Sequence, residues 1–431
     1  MSDEFEANIN QSKQEESGFI EAATFKVYGY RWVVILVYMF AIIMNQLLWI
    51  TFAPITGEAA AFYSVSDLSI ALLSMSFMVV YIIVSIPASW VIDNYGIRVG
   101  VGIGAALTGI FGLMRGLVAD DYTLVLVAQI GIAIGQPFIL NAITKVAARW
   151  FPLQERASAS GFGSLAIYLG IAVGMFLTPF MTLQVGIESM LLAYGIVAIA
   201  AAVLFIALAK EHPPTPPCPP EMDERSLVFD GLRNLLRLRD FLLLMVIFFV
   251  GLGTFNAVTT WVEDIVRPRG FTITQAGIIG GLMVVGGILG ALIVPALSDR
   301  YRKRKVFIVL TLVGGTLGLA GVTFSPTYAL TLVSAFVLGF SLLSAGPIGF
   351  QYGAEIGFPA PEGTSNGLLL MMGQISGIAF ILAMDALKDP GTGSMTLSLV
   401  VLIVLMLISL LISTQLKEST LISDQTLSKE A

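Results

Sequence analysis

Long apolar runs alternate with short polar breaks along almost the whole chain. A helix needs about 20 mostly apolar residues to cross a bilayer. On that measure the sequence predicts twelve spans, over 31–57, 66–90, 99–118, 123–145, 158–183, 187–209, 241–266, 274–297, 306–324, 328–350, 364–386 and 394–414. Most breaks are a few residues long. The exception, 210–240, opens with a proline-rich run from His212 to Pro220 that cannot be helical, because each proline lacks the amide donor and clashes with the preceding turn. After it, Leu227, Leu232, Leu235, Leu236 and Leu238 recur among Arg233, Arg237 and Arg239, the pattern of an amphipathic helix lying on the membrane surface. The expected organisation is a polar tail over 1–30, a six-helix bundle over 31–209, the linker 210–240, a second six-helix bundle over 241–414 and a tail over 415–431.

Composition narrows the class. Of the 431 residues 56% are hydrophobic and 12% charged, with mean hydropathy +0.88, against about 25% charged in a soluble domain. This is the profile of an all-α integral membrane protein. The single cysteine, Cys218, and the single histidine, His212, both lie in the linker. No span therefore offers a thiolate or imidazole ligand, and no metal or cofactor is expected. Of the 23 Lys and Arg, all but Arg115, Arg267, Arg269 and Lys388 fall on the side of the predicted bundle that also carries both termini. The positive-inside rule makes that side cytoplasmic. The acidic start lacks the basic, then apolar, order of a secretory signal. The expected setting is the cell membrane, as a monomer, with lipid and a small-molecule substrate as partners and no nucleic acid.

Polar residues inside the apolar runs are the candidate chemistry. Asn45, Gln46 and Trp49 lie halfway along the first run, where an unsatisfied polar group costs several kcal/mol. Such groups either join helices as hydrogen-bonding glue or line a cavity. Gln136, Asn256 and Gln374 fall near the middle of the fourth, seventh and eleventh spans, and Gln129 lies two turns before Gln136. An internal repeat relates these positions. Asp93-Asn-Tyr-Gly96-Ile-Arg98 stands between spans two and three, and Asp299-Arg300-Tyr-Arg302-Lys303-Arg304 between spans eight and nine, at an offset of 206 residues. The same offset carries Trp49 onto Phe255, beside Asn256. The Asp-x-x-Gly-x-Arg turn resembles a signature of the major facilitator superfamily, whose halves are related as parallel repeats. That resemblance implies twelve transmembrane helices in two six-helix halves. It also implies that Asp93, Arg98, Asp299 and Arg304 act as a cytosolic gate locking one half against the other.

A narrower resemblance rests on Arg31-Trp-Val-Val, Asn45 with Trp49, Pro87-Ala-Ser-Trp-Val-Ile-Asp93 and Gly135-Gln136-Pro-Phe-Ile-Leu. Ala148-Arg-Trp-Phe151 with Glu155, and Pro361-Glu-Gly-Thr-Ser-Asn-Gly-Leu-Leu369 leading to Gln374, complete it. Together these are similar to the feline leukaemia virus subgroup C receptor-related transporters, a family linked to choline and ethanolamine and, for some members, haem. The resemblance implies a central pocket built from Trp49, Gln136 and Gln374. It departs at span seven, where Asn256 replaces a tyrosine and Phe255 stands beside it.

The charge pattern bears on substrate. No Asp, Glu, Lys or Arg occupies the middle of spans one, two, four, five, eight or eleven. Proton-coupled carriers keep a titratable group near the substrate path, so facilitated transport is the expectation. An anion would want an arginine clamp. A cation can rest on an indole face, worth about 2 kcal/mol when desolvated, and neutral polar solutes or vitamins also fit. Haem fits poorly. Asn45, Trp49, Gln136, Phe255, Asn256 and Gln374 are the expected substrate contacts, Asn45 supporting Trp49. The rival from another class is a non-transporting receptor or sensor. An enzyme is weakest, since no nucleophile–base pair is evident.

Overall fold

The computed structural model describes residues 26–215, 233–358 and 362–418. Of the predicted tails (1–30 and 415–431) residues 1–25 and 419–431, and of the predicted linker (210–240) residues 216–232, lie outside the described residues. Among the described residues every regular element is helical.

The first half holds α1 (Arg31–Ile50), α2 (Thr56–Tyr63), α3 (Asp67–Leu117), α4 (Tyr122–Leu140), α5 (Ile143–Trp150) and α6 (Leu153–Leu208). The second holds α7 (Arg239–Thr260), α8 (Val262–Val266), α9 (Ile273–Tyr301), α10 (Lys305–Phe324), α11 (Tyr328–Gly357), α12 (Glu362–Ala386) and α13 (Thr396–Ser413). Ten of the described helices are long and apolar enough to cross a membrane. Two are too long for one crossing: the 51 residues of α3 would run about 75 Å against about 30 Å of hydrocarbon. Each is broken by a glycine in backbone space that other residues rarely enter, Gly96 (φ 87°, ψ 178°) in α3 and Gly186 (φ 81°, ψ 167°) in α6. Both breaks fall where the polar pattern predicts them, and the crossings become twelve.

The opening span of each half is also interrupted. Pro54 ends α1 early, and the chain continues through a 3-10 turn, Ala53–Ile55, into α2. In the second half α7 stops at Thr260 and resumes as α8, followed by a 3-10 turn, Arg267–Arg269, that contains Pro268. Proline removes a donor and disfavours helix in the residue before it. At the first break the freed carbonyls find partners: Thr51 donates to Leu47 O at 2.8 Å, and Ser74 donates to Trp49 O at 3.3 Å.

Glycines set how closely the spans approach. Along α9, Gly277, Gly280 and Gly281 receive Pro179, Met175 and Phe176 of α6, so this stretch joins the two halves. Further along, Gly286 and Gly290 meet the backbone of α11 so closely that a Cβ at Gly290 would sit 2.0 Å from Phe340 O. Gly170 and Gly174 of α6 seat α1 in the same way, against Ile43 O and Ile50. In the described end of the predicted amphipathic segment, Leu235 is fully buried beside Gly357 while Arg233, Leu236 and Arg237 are exposed.

Candidate functional site

Between the halves lies a cavity of 190 Å³, an order of magnitude above the roughly 10–15 Å³ that holds one water. The first half lines it with Gln46 and Trp49 of α1, Phe77, Met78 and Tyr81 of α3, Gln136 and Leu140 of α4, and Ile167, Tyr168 and Ile171 of α6. The second half contributes Leu252, Phe255 and Asn256 of α7, Leu343 of α11, and Leu370, Gly373 and Gln374 of α12. None of these side chains carries a formal charge.

Five of the six expected contacts, Trp49, Gln136, Phe255, Asn256 and Gln374, meet on this wall. Asn45 does not: it is fully buried, donates to Thr108 Oγ1 at 3.1 Å and accepts from Gln46 Nε2 at 3.2 Å. It therefore orients Gln46, a wall residue, and not Trp49, whose indole donates to Ser74 O at 3.1 Å. Gln129 does not extend the polar stripe of α4 either. Its amide accepts from Arg115 at 2.8 Å and donates to Leu48 O at 3.2 Å. Arg115 itself is fully buried and also donates to Leu48 O at 3.0 Å and Thr51 Oγ1 at 3.3 Å. The pair caps the broken end of α1, where carbonyls are left without helical partners and a cation complements the helix dipole.

Gln46, Phe77, Tyr81 and Tyr168 are wall residues that do not figure among the expected contacts. Gln46 is adjacent to Asn45, and its place one residue along the helix turns it to the cavity. Tyr81 and Tyr168 carried no sequence signal, since aromatic residues are ordinary in spans. The Tyr81 hydroxyl donates to Asn141 Oδ1 at 2.8 Å, and Asn141 in turn donates to Ser85 and Ser89. That chain fixes the ring at the cavity wall.

Asp93, Arg98, Asp299 and Arg304 do not tie the halves together here. Asp93 pairs with Lys145 of its own half at 2.9 Å. Arg98 offers its backbone N–H to Glu211 at 2.8 Å, at the start of the linker. Arg304 pairs with Asp299 and, at 3.1 Å, with Glu355, all in the second half. Among the described residues, the ion pairs between the halves lie at the opposite end of the bundle. Asp67 of α3 pairs with Arg267 at 2.7 Å and Lys388 at 2.6 Å. Asp264 pairs with the same two cations at 2.7 and 2.9 Å. Glu263 accepts from the Gly57 N–H at 3.0 Å and pairs with Arg267 at 3.1 Å.

Comparison with known proteins agrees with this architecture. Residues 34–381 match the Major Facilitator Superfamily. Solute carrier family 49 member A3 of Danio rerio is 31% identical over 385 residues, covering 86% of this chain and 81% of that protein. The Homo sapiens protein named choline/ethanolamine transporter FLVCR2 is 28% identical over 394 residues, covering 86% of this chain and 75% of that protein. Among solved structures, a bacterial homologue of the human lysosomal transporter Spinster superposes with a TM-score of 0.75 at 15% identity, covering 91% of this chain and 98% of that one. The nucleoside transporter NupG gives 0.71 at 14% identity, covering 89% and 99%. The twelve crossings, the paired halves and the match over most of the chain lead to one conclusion: this protein belongs to the major facilitator superfamily of membrane transporters, and within it to the family of solute carrier family 49 member A3 and the FLVCR transporters.

Proposed function

We propose that the chain carries a small organic amine of the choline or ethanolamine kind across the membrane by alternating access, with the central cavity as its binding site. One observation carries this reading: the wall brings Trp49, Phe77, Tyr81, Tyr168 and Phe255 together with the amides of Gln46, Gln136, Asn256 and Gln374, and contains no charged side chain. Aromatic faces attract a desolvated ammonium by about 2 kcal/mol, and amide oxygens supply acceptors for its polar groups. An anion would find no cation there. Tyr81 and Tyr168 supply the rings that Asn256 does not. The named activity of FLVCR2 as a choline/ethanolamine transporter supports the same substrate class.

The rocking bodies are residues 31–209 and 241–414. With the Lys/Arg-rich end taken as cytoplasmic, the ion pairs among Asp67, Asp264, Arg267 and Lys388 close the outer side. This conformation then faces inward. The test is exchange of labelled choline and ethanolamine in liposomes containing the purified protein. Exchange is expected in the wild type and lost in Trp49→Ala and Gln136→Ala. Binding without exchange would favour a sensor, and unchanged exchange in both variants would overturn the site.

A further inference from the structure

Deepening that reading, we infer that the cavity selects amines that still carry an N–H over fully quaternary ones, and that Asn256 is the residue that sets this preference. The inference rests on the cavity being an amine site, and it follows from how the wall amides are oriented. Asn256 Nδ2 donates to the backbone carbonyl of Gly373 at 3.2 Å. A carbonyl oxygen can only accept, so the amide is held one way round, with Oδ1 as the end that has no partner among the described residues. Gly377 makes this placement possible: a Cβ there would stand 3.2 Å from Asn256 Cβ and 3.1 Å from its Nδ2. The acceptor is therefore built into the contact between α7 and α12.

On the other half a second amide is oriented alike. Thr108 accepts from Asn45 Nδ2, and Asn45 Oδ1 accepts from Gln46 Nε2, at 3.1 and 3.2 Å. The unpartnered end of Gln46 is again its oxygen. Two fixed acceptors on a wall with no formal charge suit a ligand that brings donors and a positive charge together. A primary or secondary ammonium does both. A trimethylammonium group keeps the charge for the rings but presents only methyl groups to the oxygens, which lose their water on binding and gain nothing in return. Sites built to hydrogen-bond a ligand group discriminate strongly against analogues that lack it.

The experiment is a methylation ladder: equilibrium binding of ethanolamine and its N-methyl, N,N-dimethyl and N,N,N-trimethyl forms to the purified full chain, in wild type and Asn256→Leu. In the wild type the largest drop is expected at the last step, where the final N–H disappears, by about 10- to 100-fold. In Asn256→Leu the ladder is expected to flatten, with the trimethyl form little changed. Should Asn256→Leu fail to fold, Asn256→Ala, which removes the acceptor without added bulk, takes its place, and a last step as steep in the variant as in the wild type overturns the assignment to Asn256. Affinity that holds level or rises through the last methylation overturns the inference while leaving the amine site intact. No binding of any of the four amines overturns the amine site itself, and the inference with it.

Discussion

Trp49 shows how much of a cavity residue's role depends on what holds it. Its indole lies on the cavity wall while its N–H is engaged by Ser74 O, so the ring is held in place at the wall. Trp49→Phe keeps an aromatic face but gives up the larger indole and the anchoring bond. Affinity for the proposed amine substrate is expected to fall roughly tenfold, measured by titration, whereas Trp49→Ala is expected to abolish exchange. Arg302 offers a stability test away from the site. It occupies the repeat position of Gly96 and, like that glycine, has a positive φ, 51°. Gly96 stands at ψ 178°, a region open to glycine alone, whereas Arg302 sits in the left-handed helical well. Arg302→Gly should relieve about 1 kcal/mol of backbone strain and raise the melting temperature in detergent; an unchanged or lower value would count against strain there.

At the scale of elements, the α9–α11 contact is the tightest that glycine maintains. A Cβ at Gly339 would stand 1.7 Å from Met283 O, and one at Gly290 would stand 2.0 Å from Phe340 O. Both obstacles are backbone, which cannot swing away. Gly290→Ala and Gly339→Ala are each expected to cost at least about 1–3 kcal/mol, read as a lower melting temperature. Gly251 has nothing within 4 Å of its Cβ position, so Gly251→Ala, also in a span, should leave the melting temperature nearly unchanged. The same logic explains the interrupted first spans. Pro54 shortens α1, and Arg115 with Gln129 then holds the buried Leu48 carbonyl that the break leaves without a helical partner. The break next to the cavity is thereby a fixed feature of the half.

For the whole molecule, the question is what favours closure at the end that holds Asp67, Glu263, Asp264, Arg267 and Lys388. Three carboxylates face two cations there, and Asp264 Oδ2 is buried with no hydrogen-bond partner. Asp67 is the one carboxylate that the first half contributes to these ion pairs, to Arg267 at 2.7 Å and Lys388 at 2.6 Å. Spin labels at Phe62 and Leu387, exposed residues near this end of opposite halves, report the equilibrium after Cys218→Ser removes the native thiol. Asp67→Asn leaves both cations without their partner across the halves, and the longer distance should gain population relative to the wild type; an unchanged distribution would count against these pairs as the closing contact.

The sequence by itself determined the twelve crossings, the division into halves and the identity of five wall residues. It could do so because hydrocarbon has one requirement, the satisfaction of backbone polar groups, that shows directly as apolar runs, and because amides in such runs are few. Gly96 and Gly186 fell in the predicted breaks for the same reason. Which partner each polar group takes was left to the tertiary structure. Asn45 turned to Thr108 and Gln46, Gln129 turned to Arg115, and the Asp93 and Asp299 turns closed on their own halves. A residue's neighbours along the chain do not say which way its helix faces once packed, and a one-residue step turns a side chain by about 100°. The ion network joining the halves draws on residues as far apart as Asp67 and Lys388. Only the docking of two bundles brings those charges together, at the end opposite the one the repeated turns had suggested.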